Sequence, residues 1–387
     1  MTIRELDQSY IAGTYARFDV VLTKGQGSVV WDEDGKSYID MGTGIAVNTF
    51  GIADESWAAA VSAQLGTLQH TSNLFYSGPC AQLAQVLCER TGMKKVFFSN
   101  SGAEANECAI KVARKYAADK YGPERNLILT LKNSFHGRTL TTLAATGQDV
   151  FHGLFTPLTP GFVYAEATIE SVKALVESGN VAGILFEPVQ GEGGVVALEP
   201  EFVQYLADVC REQDIILMAD EVQTGNGRCG ALYAYQNYGI QPDVVSTAKG
   251  LGGGLPLGAT LMGEKVQSVL GPGDHGSTFG GNPVSCAGAL NVLSRIDEAL
   301  LAQVREKADY IVSELTGAAG VVSVTGMGLM LGIETVRPAD DVLAECRGKG
   351  VLCIKAKNKV RLLPALNIPW EQLKTAVSVL KEVCANG

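Results

Sequence analysis

No run of lysines or arginines occurs anywhere in the 387 residues, and the formal net charge is −10. Nucleic-acid surfaces are built from clustered cations, so that class of partner is not expected. Anionic substrates, if any are used, must be caught by a few placed arginines. Histidines number only four, and the nine cysteines are scattered singly, with no CxxC and no zinc-ligand spacing. Neither a metal centre nor a disulfide framework is expected, but rather buried free thiols in a reducing compartment. No stretch reaches the about 18 apolar residues of a membrane span. The opening "MTIRELDQSYIAGTY" has neither an apolar signal core nor an Arg/Ser-rich amphipathic leader. The chain is therefore expected to have no membrane contact and a cytoplasmic location. Repeats and disordered linkers are also missing.

What is present is an ordinary globular composition, 46% hydrophobic and 19% charged. The length suggests two or three domains, or one large domain with a satellite. The 45 glycines follow no period, which points to tight turns and close backbone approaches. Residues 20–41 read as a β-meander broken at "GQG" and "DEDGK". From about residue 58 to 295, apolar strands alternate with amphipathic helices, the pattern of a mostly parallel sheet covered on both faces. One long helix is expected over 283–317, and an α+β tail follows it. The expected division is 1–50 as the N-terminal part of a small domain, 51–295 as a large α/β domain, and 296–387 as the rest of the small α+β domain.

The chemistry gathers where strands end. Glu187, Asp220 and Lys249 each sit just past an apolar run, at separations of 33 and 29 residues, about one βαβ unit apiece. Carboxyl ends of parallel strands share one edge, where ligands bind, so these three side chains should converge on a cleft. Lys249 lies in glycine-rich "STAKGLGGGLPLG". A lysine in a partly desolvated pocket is a nucleophile for carbonyl carbon. A lysine Schiff base, with an aspartate on a pyridinium N–H, is the signature of pyridoxal phosphate chemistry. A plain buried Asp220–Lys249 ion pair is the competing reading.

A phosphate would find a home at "FFSNSGAEAN", where a strand ends, Ser101 and Gly102 turn, and a helix begins near Ala103. "HGSTFGGNP" is a second such terminus, with hydroxyls at Ser277 and Thr278. In "NSFHGRT", Phe135 is suited to stack on a planar ring and Arg138 to clasp a carboxylate. Arg361 interrupts the apolar run of "KVRLLPAL", which suits either a cleft or a snorkelling side chain. "GNGRCG" matches GxGxxG only formally. Asp220 and Glu221 separate it from the strand, and the next acid, Asp243, comes 13 residues after Gly230, too soon for a dinucleotide site.

Together "NSGAEANECAIKVARKY", "SFHGRT", "FEPVQGEGG", "ADEVQTGNGR", "TAKGLGGGLPLGA" and "HGSTFGGNP" resemble the class III (subgroup II) pyridoxal-phosphate-dependent aminotransferases. The likeness runs from "YARFDVVLTKGQG" to "VRLLPAL", essentially the whole chain. It implies the fold type I of pyridoxal-phosphate transferases, aspartate aminotransferase-like, and a homodimer with shared active sites. It implies further that Lys249 carries the cofactor and shuttles the proton, and that Asp220 pairs with the pyridinium nitrogen. Val222 and Phe135 would sandwich the ring, Gln223 would meet the ring hydroxyl, and Glu187 belongs to the same cofactor site. Ser101, Gly102 and Ala103 would hold the phosphate, with Thr278 reaching it from the neighbouring subunit. Arg138, with Ser277 nearby, would hold the substrate α-carboxylate. Arg361 would receive 2-oxoglutarate with Glu192 as its switchable partner, and Tyr15 aligns with an aromatic near the substrate. Within the family, "GLGGGLPLG", "HGSTFGGNP" and the compact length favour N2-acetylornithine as donor over succinylornithine, ornithine and 4-aminobutyrate. A non-catalytic binding protein on the same scaffold is the alternative from a different class. One departure stands out: "VLCIKAKNKV" precedes Arg361 where the family more usually has a small, glycine-containing turn, and Lys355, Lys357 and Lys359 are expected to form a solvated edge.

Overall fold

The apolar runs become one seven-stranded sheet in the computed structural model, which describes residues 1–386. Its strands lie in the order Lys95–Ser99, Gly258–Met262, Val244–Thr247, Ile216–Asp220, Val181–Phe186, Leu127–Leu131, Phe162–Ala165. Only Gly258–Met262 runs against the other six. Val181–Phe186 and Ile216–Asp220 are buried at every position, as near-continuous apolar strands must be when helices cover both faces. The helix Gly102–Tyr121 lies close on the sheet because its facing residues are small: Ala105, Ala109 and Ala113 are fully buried. At Gly183 a Cβ would come within 2.9 Å of Ala113 and 2.6 Å of Met218, so glycine permits that approach.

Three smaller sheets complete the α/β fold among the described residues, one of them only the two-stranded pair Val189–Gln190 and Val196–Ala197. The meander Leu22–Gln26, Val29–Asp32, Ser37–Asp40 is extended by Val351–Leu352, which joins sequence-distant ends of the chain in one sheet. The second, antiparallel, has the order Val321–Met327, Met330–Thr335, Lys359–Leu362, Ile354–Ala356. The long helix expected over 283–317, for which a bend is allowed, is two helices, Pro283–Arg295 and Glu298–Leu315. Asp297 breaks it: its backbone is extended, and its carboxylate accepts the Leu300 N–H at 2.8 Å as an N-cap. The lysine edge also differs from expectation. Lys355 and Lys357 are exposed, but Lys359 is buried, and its Nζ donates to Thr325 Oγ1 at 2.9 Å. No helix among the described residues is long and apolar enough to cross a membrane. All nine cysteines are free thiols, seven of them buried.

Candidate active site

Three neighbouring strands bring the predicted residues together. Asp220 ends the strand Ile216–Asp220 and stands opposite Ser246 on one side, while Ala219 stands opposite Phe186 on the other. Glu187 and Lys249 therefore emerge from the two flanking strands at the same edge. All three line one cleft of about 460 Å³, together with Ser101, Gly102, Ala103, Phe135, Arg138, Val222 and Gln223.

Asp220 is buried, yet Lys249 is not what satisfies it. Its Oδ2 accepts from Asn106 Nδ2 at 2.7 Å and lies 2.7 Å from His136 Nδ1, and its Oδ1 accepts the Val222 N–H at 3.0 Å. Asn106 is held in turn by Ser246, whose Oγ donates to Asn106 Oδ1 at 2.5 Å. Among the described residues Lys249 forms no salt bridge, so the plain ion-pair reading fails. Burial pulls the Lys249 ammonium below its usual range, against the charges of Asp220 and Glu192, which pull the other way. Its backbone sits at φ 46°, in the left-handed region, a strained conformation typical of functional residues.

Glu187 is held differently. Burial first, and then the charge of Asp220, push its carboxyl well above the usual range. It accepts the Phe135 N–H at 2.9 Å and the Gly191 N–H at 3.4 Å, so it fixes the backbone beneath Phe135 and the start of the Glu192 loop. Arg138 is exposed at the rim. Its guanidinium lies 4.3 Å from the Phe151 ring centroid and 5.4 Å from that of Phe135, and it pairs with no carboxylate among the described residues. At the opposite wall, the helix Gly102–Tyr121 begins against Val222. A Cβ at Gly102 would meet Val222 Cγ1 at 2.5 Å, so only glycine lets the helix terminus and its free N–H groups approach so closely.

Arg361 reaches the cleft from the smaller sheet and is buried. Its Nη1 donates to Glu192 Oε1 at 2.6 Å and to Gln223 Oε1 at 3.0 Å, and its Nη2 donates to Lys355 O at 3.2 Å. Gln223 is thus engaged with Arg361 in this conformation. Two predicted sets lie elsewhere. Ser277 and Thr278 line a second cavity of about 410 Å³, with Ser277 Oγ accepting from Asn100 Nδ2 at 3.1 Å. Tyr15 is exposed, under the Arg17 guanidinium, and does not line its own chain's cleft. The helix Ile3–Tyr10 before it buries no residue and is tied to the rest of the chain by surface ion pairs, Arg4 with Asp19 and Glu33 and Asp7 with Arg17.

Sequence pattern alone gives no role to Asn106, Ser246, Phe151 or His136. The signal for Asn106 and Ser246 was a lone polar residue on a face otherwise apolar. A buried polar group needs partners, and here the partner is Asp220.

The second carboxylate of "ADEV" does not face the cleft at all. Glu221 is fully buried and accepts from Thr224 Oγ1 at 2.6 Å and from the Tyr235 N–H at 2.7 Å. Burial pushes its carboxyl up to about 7. A raised folded-state pKa means that the native protein keeps a proton which the unfolded chain releases above its ordinary value of 4.5. This contribution is therefore full below that ordinary value and is lost as pH rises through about 7, by up to about 3 kcal/mol. Thermal unfolding of Glu221→Gln at pH 5 and pH 8 checks it. The variant should gain on the wild type as pH rises, and parallel pH profiles would refute the assignment.

The family model described as Aminotransferase class-III matches residues 10–384. Acetylornithine aminotransferase of Haemophilus ducreyi is 50% identical over 384 residues, covering 98% of this chain and 98% of its own. Among solved structures, ornithine aminotransferase of Toxoplasma gondii ME49 superposes with a TM-score of 0.95 at 30% identity, over 98% of this chain and 94% of that one. N-acetylornithine aminotransferase of Stenotrophomonas maltophilia K279a gives 0.86 at 33% identity, over 98% of each.

Proposed function

The chain belongs to the class-III aminotransferase family, and from that premise we propose that it transfers the δ-amino group of N2-acetyl-L-ornithine to 2-oxoglutarate with pyridoxal phosphate as cofactor. The products are N-acetyl-L-glutamate 5-semialdehyde and L-glutamate. One observation carries the chemistry: a half-buried lysine that forms no salt bridge among the described residues, at the same cleft edge as an aspartate already held by three neighbouring groups. The full-length identity to a protein named acetylornithine aminotransferase supports the donor.

The residues fit the cofactor. Asp220 is oriented to accept a ring N–H, Val222 and Phe135 offer apolar surfaces for a flat ring, and Gln223 suits its hydroxyl. The N–H groups of Ser101, Gly102 and Ala103 at the helix start suit its phosphate. When bound, pyridoxal phosphate supplies an electron sink for the carbon that carries the transferred amine. Lys249 Nζ, its basicity lowered by burial, would move the proton from the δ-carbon to the cofactor. Arg138 holds the donor's α-carboxylate. Arg361 is screened by Glu192 while the donor reacts. It binds the second carboxylate of 2-oxoglutarate once Glu192 turns away, so one site serves two differently charged substrates.

We further assign a homodimer in which Thr278 of one copy completes the phosphate site of the other, and in which Tyr15 approaches substrate only in the assembly. The position of Thr278 outside its own chain's cleft supports that arrangement. We assign residues 51–295 to the cofactor-binding domain and 1–50 with 296–387 to the small one, and we place the enzyme in the cytoplasm, where free thiols persist. A kinetic comparison of N2-acetylornithine, succinylornithine, ornithine and 4-aminobutyrate as donors tests the substrate. N2-acetylornithine should have the highest kcat/KM, and a higher value for 4-aminobutyrate would overturn the choice.

A further inference from the structure

The backbone just beyond Arg361 is held by buried side chains from three separate parts of the chain. Thr43 Oγ1 donates to Leu363 O at 2.6 Å, Arg228 Nη1 to Pro364 O at 2.5 Å, and Lys307 Nζ to Leu366 O at 3.1 Å. Arg228 Nη1 also donates to Leu329 O at 3.1 Å, and the Leu329 N–H returns a bond to Arg228 O at 2.9 Å. Both cations are unusual. Arg228 is 3% exposed and Lys307 2%, yet among the described residues neither forms a salt bridge with a carboxylate. Each spends its charge on backbone carbonyls. Burial lowers both groups, Arg228 to about 10. A cation buried without an acid is a poor way to stabilise a fold, so a positional role is the better explanation.

Geometry supplies that role. Within the small sheet Arg361 is fixed by pairing, opposite Gly332 on one side and Ile354 on the other. Pairing says nothing about where the sheet sits over the cleft. Arg228 belongs to the loop that continues from Asp220 through Gln223, and that same loop touches Arg361 directly through Gln223 Oε1 at 3.0 Å. Two contacts, Gln223 to Arg361 and Arg228 to Pro364, therefore tie the end of the Arg361 strand to the loop carrying Asp220. Lys307 ties it from a second element, the helix Glu298–Leu315.

We propose that Arg228 and Lys307 are positioning residues that seat Arg361 over the cleft for the 2-oxoglutarate half-reaction by clamping residues 363–366. The proposal rests on the reading of Arg361 as the acceptor's arginine. Neither residue lines the cleft, so the donor half-reaction should not depend on them.

The test uses the holoenzyme and follows each half-reaction separately by the cofactor's absorbance. Lys307→Met keeps the length and removes the donor. It should raise the 2-oxoglutarate concentration needed for half-maximal rate by about tenfold, since small misplacements of a binding group are amplified in rate. The half-reaction with N2-acetylornithine should stay within about twofold, with no comparable loss in thermal midpoint. Lys307→Arg, which keeps a donor, should recover most of the effect, and Arg228→Lys provides the second variant should Lys307→Met fold poorly. Equal slowing of both half-reactions, or an unchanged acceptor half-reaction in soluble Lys307→Met and Arg228→Lys, would overturn the clamp. The acceptor half-reaction is also run on enzyme loaded with L-glutamate, which requires no assumption about the donor. A wild-type enzyme inert toward N2-acetylornithine in that same series therefore strikes the donor assignment and leaves the clamp measured.

Discussion

Lys249→Ala is expected to lower turnover by at least about ten-thousand-fold, the combined loss of a covalent anchor and of the group that moves the proton. The argument begins with burial. Desolvation lowers the pKa of an amine that no salt bridge holds charged among the described residues, which favours the neutral form that adds to an aldehyde. No other lysine lines the cleft, so no neighbour can substitute. Cofactor should still be retained, because the Asp220 acceptor and the helix terminus at Gly102 are untouched by the change. The measurement is turnover together with borohydride reduction followed by peptide mapping: wild type should carry cofactor on Lys249, and the variant should carry none. Full turnover in the variant would end the whole reading.

Asp220→Asn should reduce kcat by about a thousandfold, the scale seen when one preorganised electrostatic contact is removed from a reacting centre. The substitution preserves shape but not polarity. Asp220 accepts from Asn106 Nδ2 and from the Val222 N–H, both donors that cannot turn round. An asparagine amide placed there must aim its own N–H₂ at one of those donors or at the ring nitrogen, so the site loses both its charge and a hydrogen bond. His136 also loses the carboxylate that orients its ring. The check is single-turnover kinetics on cofactor-saturated variant, so that weaker cofactor binding is not mistaken for slower chemistry. A kcat within tenfold of the wild type would mean that Asp220 is not the charge that steadies the ring.

Much of this cleft could be read from local pattern. Apolar runs ending in Glu187, Asp220 and Lys249 at βαβ spacing place three side chains on one edge by topology alone, because parallel strands with right-handed crossovers leave few other arrangements. The helix start at Gly102 was legible for a similar reason: a strand, a turn of small polar residues and a helix former follow one another directly in the chain. Where local signals competed, pattern failed. The apolar periodicity across 283–317 carried over a break that one capping side chain, Asp297, creates, and a row of lysines hid one that is buried.

The alternation of strands and helices and the common cleft edge of Glu187, Asp220 and Lys249 were thus determined by the sequence, since these depend on neighbours within a few tens of residues. Tertiary structure alone decided which groups hold them. Asn106 meets Asp220 across 114 positions, Glu192 meets Arg361 across 169, and Arg228 meets Pro364 across 136. Hydrogen bonds act over about 3 Å and leave no trace in local spacing, so such partners emerge only when the packed core has brought distant segments together.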